Sequence, residues 1–112
     1  MGCKRSTQTE AGFESVDVKT FNAIILNNEV QCVDVRTAAE HNDGHIPGSI
    51  NIDVLQSDFA QIAEQKLIKN QPVAIYCRSG NRSKKAGKIL MDLGFQVIEL
   101  NVGYNGWGEH DN

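Results

Sequence analysis

The sequence has few cysteines, prolines and aromatic residues, and each scarcity excludes something. Its three cysteines, Cys3, Cys32 and Cys77, are an odd number, and none lies in a Cys-x-x-Cys pattern. A disulfide framework and a zinc site are therefore not expected. None of the three histidines, His41, His45 and His110, reads as a metal ligand. No apolar run approaches the roughly 20 residues that a spanning helix needs, so no membrane span is expected. The seven aromatic residues do not interleave with an extended basic stripe, and the net charge is −3. Both facts argue against nucleic acid as a partner.

What is present fits one domain. At 112 residues the chain can bury a single core without staples. It is organised around residues 72–93: a short apolar run, then Cys77-Arg78-Ser79-Gly80-Asn81-Arg82-Ser83, then an amphipathic helix. A cysteine at a strand tip, followed by a polar loop and a helix start, favours a thiolate. Loop N–H groups can converge on one point, and the helix N-terminus adds about half a positive charge. The thiol should fall from its usual pKa of about 8.5. Residues 78–88 hold five of the eleven basic residues, Arg78, Arg82, Lys84, Lys85 and Lys88, and no Asp or Glu. This local positive field stabilises a thiolate and attracts an anion.

In chain order, residues 1–12 hold little to bury and read as a flexible tail. Met1-Gly2-Cys3 with Ser6 matches a myristoylation pattern. Gly2-Cys3 also suits the stump of a bacterial lipoprotein signal, which makes Cys3 a candidate lipid anchor. A plain tail with a chance cysteine is the third reading. The compartment hinges on this tail: the bacterial cytoplasm or, if Cys3 marks a lipoprotein stump, the cell envelope or periplasm.

Residues 13–16 suit a short edge strand, and Asp17 a helix cap. Residues 31–35 suit a buried strand. Thr37-Ala38-Ala39-Glu40 reads as a capping box. Residues 49–52 suit another short strand, and Asp53 should cap a helical region to residue 67 with Val54, Leu55, Phe59, Ile62 and Ala63 inward. Residues 73–76 form the strand before Cys77. Ala86, Ile89, Leu90 and Leu93 make a core face on the helix after it, where Gly87 allows close packing on the sheet. Residues 96–100 read as a last, alternating strand, and 103–107 as a closing turn with Tyr104 and Trp107 packed back. Strands alternating with helices imply an α/β fold: a central, mostly parallel five-stranded sheet with helices on both faces. Ligands bind at the carboxyl ends of such strands, where Cys77 lies.

Three motifs then carry a resemblance. Asp34-Val35-Arg36 with Glu40, Gly44-His45-Ile46-Pro47-Gly48-Ser49-Ile50-Asn51, and Tyr76-Cys77-Arg78-Ser79-Gly80-Asn81-Arg82-Ser83 stand in order along residues 13–108. The chain resembles a single-domain rhodanese, a thiosulfate sulfurtransferase, flanked by tails at 1–12 and 109–112. His41 stands where that family has Phe or Tyr, a difference of packing. Val102-Gly103-Tyr104 replaces a Gly-Gly pair beside the pocket.

The resemblance implies that Cys77 attacks the outer sulfur of a small anionic donor such as thiosulfate. The resulting persulfide passes its sulfur to a thiol or cyanide, with no metal or organic cofactor and with a monomer as the working unit. Arg78, Ser79, Gly80, Asn81, Arg82 and Ser83 would line the donor site. Arg36 would either line its entrance or pair with Asp34. Arg82 would hold the donor or brace the loop amides. Cys32 reads as core packing, and His45 as a hydrogen-bonding partner of the bend rather than a base. Two rivals stay open. One is a persulfide carrier or binding module without thiosulfate turnover. The other is a cysteine phosphatase or arsenate reductase, whose similar loops have five residues between Cys and Arg where this one has four.

Overall fold

The structure, a computed structural model, describes residues 6–8 and 12–110. The element order is β1 (Ser6–Gln8), β2 (Glu14–Val16), α1 (Val18–Ile25), β3 (Gln31–Asp34), α2 (Ala38–Asn42), β4 (Ile50–Asn51), α3 (Phe59–Lys66), β5 (Val73–Tyr76), α4 (Asn81–Asp92), β6 (Val97–Leu100) and α5 (Gly103–His110). The sheet runs β1-β2-β6-β5-β3-β4. Five strands are mutually parallel, as the βα alternation requires, and β1 adds an antiparallel sixth on β2. That strand falls in the segment expected to be a tail. It covers the edge that β2 would otherwise expose. Cys3 and its lipid-anchor reading lie outside the described residues.

The side-chain period of two divides the core. On β5, Val73, Ile75 and Cys77 face a cluster built with Phe59, Ala63, Ala86 and Leu90 of α3 and α4. Ala74 and Tyr76 face the opposite cluster, with Phe21 of α1 and Trp107 of α5. Cys77 therefore looks toward α4. The chain moves from β3 outward to β4, then returns to lay β5 on the other side of β3. The crevice at this reversal, between the ends of β3 and β5, is where a parallel sheet offers a binding site.

Local signals set most boundaries. Asp17 accepts from Thr20 N at 2.9 Å and starts α1. Thr37 and Glu40 form the full capping box of α2. Four expectations are corrected. Asp53 caps only a turn, accepting from Leu55 N at 2.9 Å, and α3 begins at Phe59 with Leu55 left 59% exposed. The turn at 103–107 is the start of helix α5, which runs into the expected C-terminal tail. Gly87 packs against a ring rather than the sheet itself: a Cβ there would lie 2.7 Å from Phe13 Cζ. Finally, β6 does not alternate, because all four of its residues are buried. No described helix is long and apolar enough to cross a membrane.

Candidate active site

Cys77 follows the last residue of β5, and Gly80 ends the loop with φ of +104° as the N-cap of α4. Glycine reaches this conformation without strain. The turn brings Gly80 N to 3.0 Å from Cys77 Sγ, as a donor to sulfur. Ser83, in the first turn of α4 and fully buried, places its Oγ 3.5 Å from Sγ. Burial is the largest influence on this thiol and pushes its pKa up. The Ser83 hydroxyl and the amides of Ser83, Gly80 and Ser79 act together the other way and win, so the pKa ends below its ordinary value. Cys32 shows the contrast. Its burial, with the Asp34 charge beside it, raises its thiol to about 12, which suits packing and not reactivity.

Cys77 is only 1% exposed, so its sulfur lies beneath the loop and not at an open mouth. It is not wholly sealed in hydrocarbon: it belongs to the apolar cluster under α3 and α4, but Gly80 N and Ser83 Oγ contact it. Arg78, Ser79 and Asn81 are exposed around it, while Gly80 is buried. Beside the loop lies a cleft of about 240 Å³ lined by Arg36, Glu40, Asp43, Gly44, Arg78 and Tyr104, among others.

Two of the three expected arginines, Arg36 and Arg82, bond mostly to protein partners. Arg36 donates from Nε and Nη2 to Asp34, at 2.9 Å and 2.7 Å, and from Nη2 to Gly44 O at 2.7 Å. Its guanidinium lies 4.5 Å from the Tyr104 ring centre. Its Nη1 takes part in none of these bonds, and the residue lines the cleft, so both expected placements of Arg36 coexist. Arg82 grips Glu40 with both terminal nitrogens, at 2.7 Å and 2.9 Å. Its fork is therefore occupied, and it ties α4 to α2 beside the loop. This suits bracing better than direct grip of a donor.

Glu40 bears the mark of that grip. The Arg82 hydrogen bonds, against partial burial and aided by Thr37, lower its pKa from 4.5 to about 2. A depressed carboxylate stabilises the fold fully above its unfolded pKa and loses that contribution as pH falls through its folded value. The loss thus falls between about pH 4.5 and 2. The pair is about one-quarter exposed, which weakens it. Glu40→Gln is expected to cost about 1 kcal/mol at pH 7 and less at pH 2, in urea melts across that range. An equal cost at both pH values would contradict this origin.

His41 differs from its expectation. Its Nδ1 lies 2.9 Å from the buried Asp34 carboxylate, and its ring stacks on His45 at 3.7 Å. Its role is polar as well as steric. His45 binds His41 O at 2.8 Å, which agrees with a structural partner of the bend.

Sequence reasoning missed Glu99. This β6 residue is fully buried, hydrogen-bonded to Ser83 Oγ and within 3.1 Å of Lys84 Nζ. The available signal was a carboxylate inside an apolar four-residue strand, read there as an alternating polar position.

Comparison with known proteins agrees with this geometry. The model of the rhodanese-like domain matches residues 17–110. A sulfurtransferase of Allochromatium vinosum is 36% identical over 85% of this chain and 88% of its own. The thiosulfate sulfurtransferase GlpE of Shewanella oneidensis is 28% identical over 88% and 96%. A crystal structure of a rhodanese-related protein from Thermoplasma volcanium superposes with a TM-score of 0.73 at 28% identity, covering 86% of this chain and 91% of that one. Other relatives carry different names, a tRNA uridine(34) hydroxylase and a sulfur carrier, and the chain spans only 32% and 57% of those.

Proposed function

The chain belongs to the rhodanese-like sulfurtransferase family, and we propose that it moves a sulfane sulfur from thiosulfate to a thiol or cyanide through a Cys77 persulfide. The observation that carries this reading is a buried Cys77 sulfur that accepts from Gly80 N at 3.0 Å and lies 3.5 Å from Ser83 Oγ, with its pKa held below the ordinary value by the loop. The Cys77 thiolate attacks the outer sulfur of thiosulfate. A new S–S bond forms to Sγ, the bond to the sulfonate sulfur breaks, and sulfite leaves with its electron pair. The negative charge passes to the outer sulfur of the persulfide, where loop N–H groups stabilise it as they would an oxyanion. An acceptor thiolate then takes that sulfur and restores the Cys77 thiolate. This is covalent, two-step chemistry and calls for ping-pong kinetics.

Arg78 and Arg36 border the cleft and would meet the donor's sulfonate. Arg82 and Glu40 hold the loop against α2. The loop, with four residues between Cys77 and Arg82, suits one added sulfur better than a tetrahedral oxyanion. The chain would work as a monomer.

Intact mass after thiosulfate treatment tests the reading. A gain of one sulfur in the wild type, absent in Cys77→Ser, is the expected result. No gain from thiosulfate but a gain from a persulfidated protein would replace it with a carrier role. Phosphate-ester turnover faster than sulfur transfer would replace it with a phosphatase.

A further inference from the structure

Glu99 has no part in the mechanism above, yet it sits directly behind the reacting sulfur. In the sheet, Ile75 and Glu99 stand opposite each other. Ile75 is two residues before Cys77 on the same face, so Glu99 points to the α4 side and lies deeper than the sulfur. Ser83 Oγ joins the two, with Sγ at 3.5 Å on one side and the Glu99 carboxylate on the other. Glu99 is therefore within about 6 Å of Sγ, the sum of two hydrogen-bond lengths. It is fully buried, and its one cationic partner among the described contacts is Lys84, half exposed, at 3.1 Å and 3.3 Å.

A carboxylate there opposes a thiolate twice. It repels a negative charge on Sγ. It also competes with the thiolate, and with Gly80 O at 3.1 Å, for the single Ser83 hydroxyl proton. A site that spends three amides on stabilising a thiolate while holding a carboxylate behind it is balancing two demands. We infer that Glu99, acting through Ser83, is a positioning residue that pushes negative charge outward from Sγ and so favours the persulfide over the free thiolate.

Distance from Glu99 separates the two states. A sulfur delivered from solvent bonds on the loop side of Sγ, opposite the deeper-lying Glu99. Loading leaves the net charge unchanged but moves it one S–S bond farther from Glu99. The Coulomb repulsion falls with that step. Two cations lie nearby among the described residues: Lys84, bonded to Gly80 O and Glu99, and Arg82, whose charge acts on the sulfur. They favour an anion in either state, whereas Glu99 opposes the one whose charge lies on Sγ more strongly.

The inference rests on the proposed persulfide chemistry, but its first test does not need sulfur transfer. Thiol acidity is read from the pH dependence of Cys77 alkylation by iodoacetamide, with no donor present. Glu99→Gln keeps the size and a hydrogen-bonding oxygen but removes the charge. The thiol pKa is expected to fall by about half a unit or more. Lys84→Met, at a half-exposed position, leaves Glu99 less neutralised, and the thiol pKa is expected to rise. The second test is the persulfide-to-thiol ratio at a fixed thiosulfate-to-sulfite ratio, by intact mass. It should drop about threefold in Glu99→Gln, following the lost distance dependence.

A rise or no change of thiol pKa in Glu99→Gln overturns the inference, as does a fall or no change in Lys84→Met. So does an unchanged loading ratio. A merely structural Glu99 would not move the two variants in opposite directions. If wild-type protein takes no sulfur from thiosulfate, the proposed donor fails, while the pair of pKa shifts still decides what Glu99 does to the thiol.

Discussion

Gly103→Ala is expected to destabilise the protein by about 3 kcal/mol or more, lowering Tm by about 10 °C or more, and to raise the pKa of the Cys77 thiol. Gly103 has φ of +67°, a conformation that L side chains rarely adopt. The conformation alone costs on the order of 1 kcal/mol. The larger part is steric. A Cβ at Gly103 would lie 2.5 Å from both Arg78 C and Arg78 O, and 2.7 Å from Cys77 O. These are backbone atoms of Cys77 and of the loop that follows it, and no rotamer change relieves the overlap. The same contact explains why the glycine is there. The first turn of α5 donates to the loop, with Tyr104 N 2.8 Å from Cys77 O and Asn105 N 3.0 Å from Arg78 O. Those bonds fix the carbonyls of residues 77 and 78, and thereby the direction of the amides that follow. Moving α5 away loosens the cradle, so thermal melts and the alkylation profile should change together. A Gly103→Ala protein that melts like wild type would refute the account of this contact.

That contact marks where the sequence stopped being legible. The resemblance singled out Val102-Gly103-Tyr104 as a departure beside the pocket, and the chain order gave a turn at 103–107. Neither shows that a helix starts there. Three glycines in α5, at 103, 106 and 108, argue against helix on propensity alone. The helix forms because its start is tied to the loop and Trp107 is buried against Phe21, at 6.5 Å between ring centres. Tertiary packing overrides propensity here.

The legible parts had local causes. The Thr37–Glu40 box spans four residues and needs no distant partner. The Cys77 loop could be read because strand, turn and helix start are contiguous, and the amides that acidify the thiol come from the next six residues. Partners far along the chain could not be read. Arg82 meets Glu40 across 42 positions, so the fork expected for a donor is held by a carboxylate. Glu99 meets Ser83 across 16. Both ends of such pairs look like ordinary polar residues until the β5–β6 register and the placement of α2 are known. Strand β1 was illegible for a related reason: three polar residues gain their role only from the neighbouring edge of β2.

The second large effect concerns the other wall of the crevice. Asp34→Ala is expected to cost about 3–5 kcal/mol, as breaking one side of a buried ion pair does. Asp34 is fully buried and closes a network. It accepts from Arg36 N at 2.9 Å and from the Arg36 guanidinium, and faces His41 Nδ1. Burial is the strongest influence on its carboxyl and raises the pKa. The Arg36 side chain and backbone, with His41, overcome it and leave the pKa below the usual carboxylate range. The contribution is thus complete above the unfolded value near 4 and fades only in stronger acid. With Asp34 gone, Arg36 is left charged, 4% exposed and lacking its only carboxylate among these bonds. That stranded charge, more than a lost attraction, makes the cost large. It follows that the double variant Asp34→Leu with Arg36→Met should recover much of the stability lost in Asp34→Ala. It should not recover sulfur transfer, because the same change removes the cation bordering the cleft beside Arg78. Urea melts of the single and double variants, with thiosulfate uptake by intact mass, separate the two roles. If the double variant were as unstable as the single one, the destabilisation would lie in lost packing and not in an uncompensated charge.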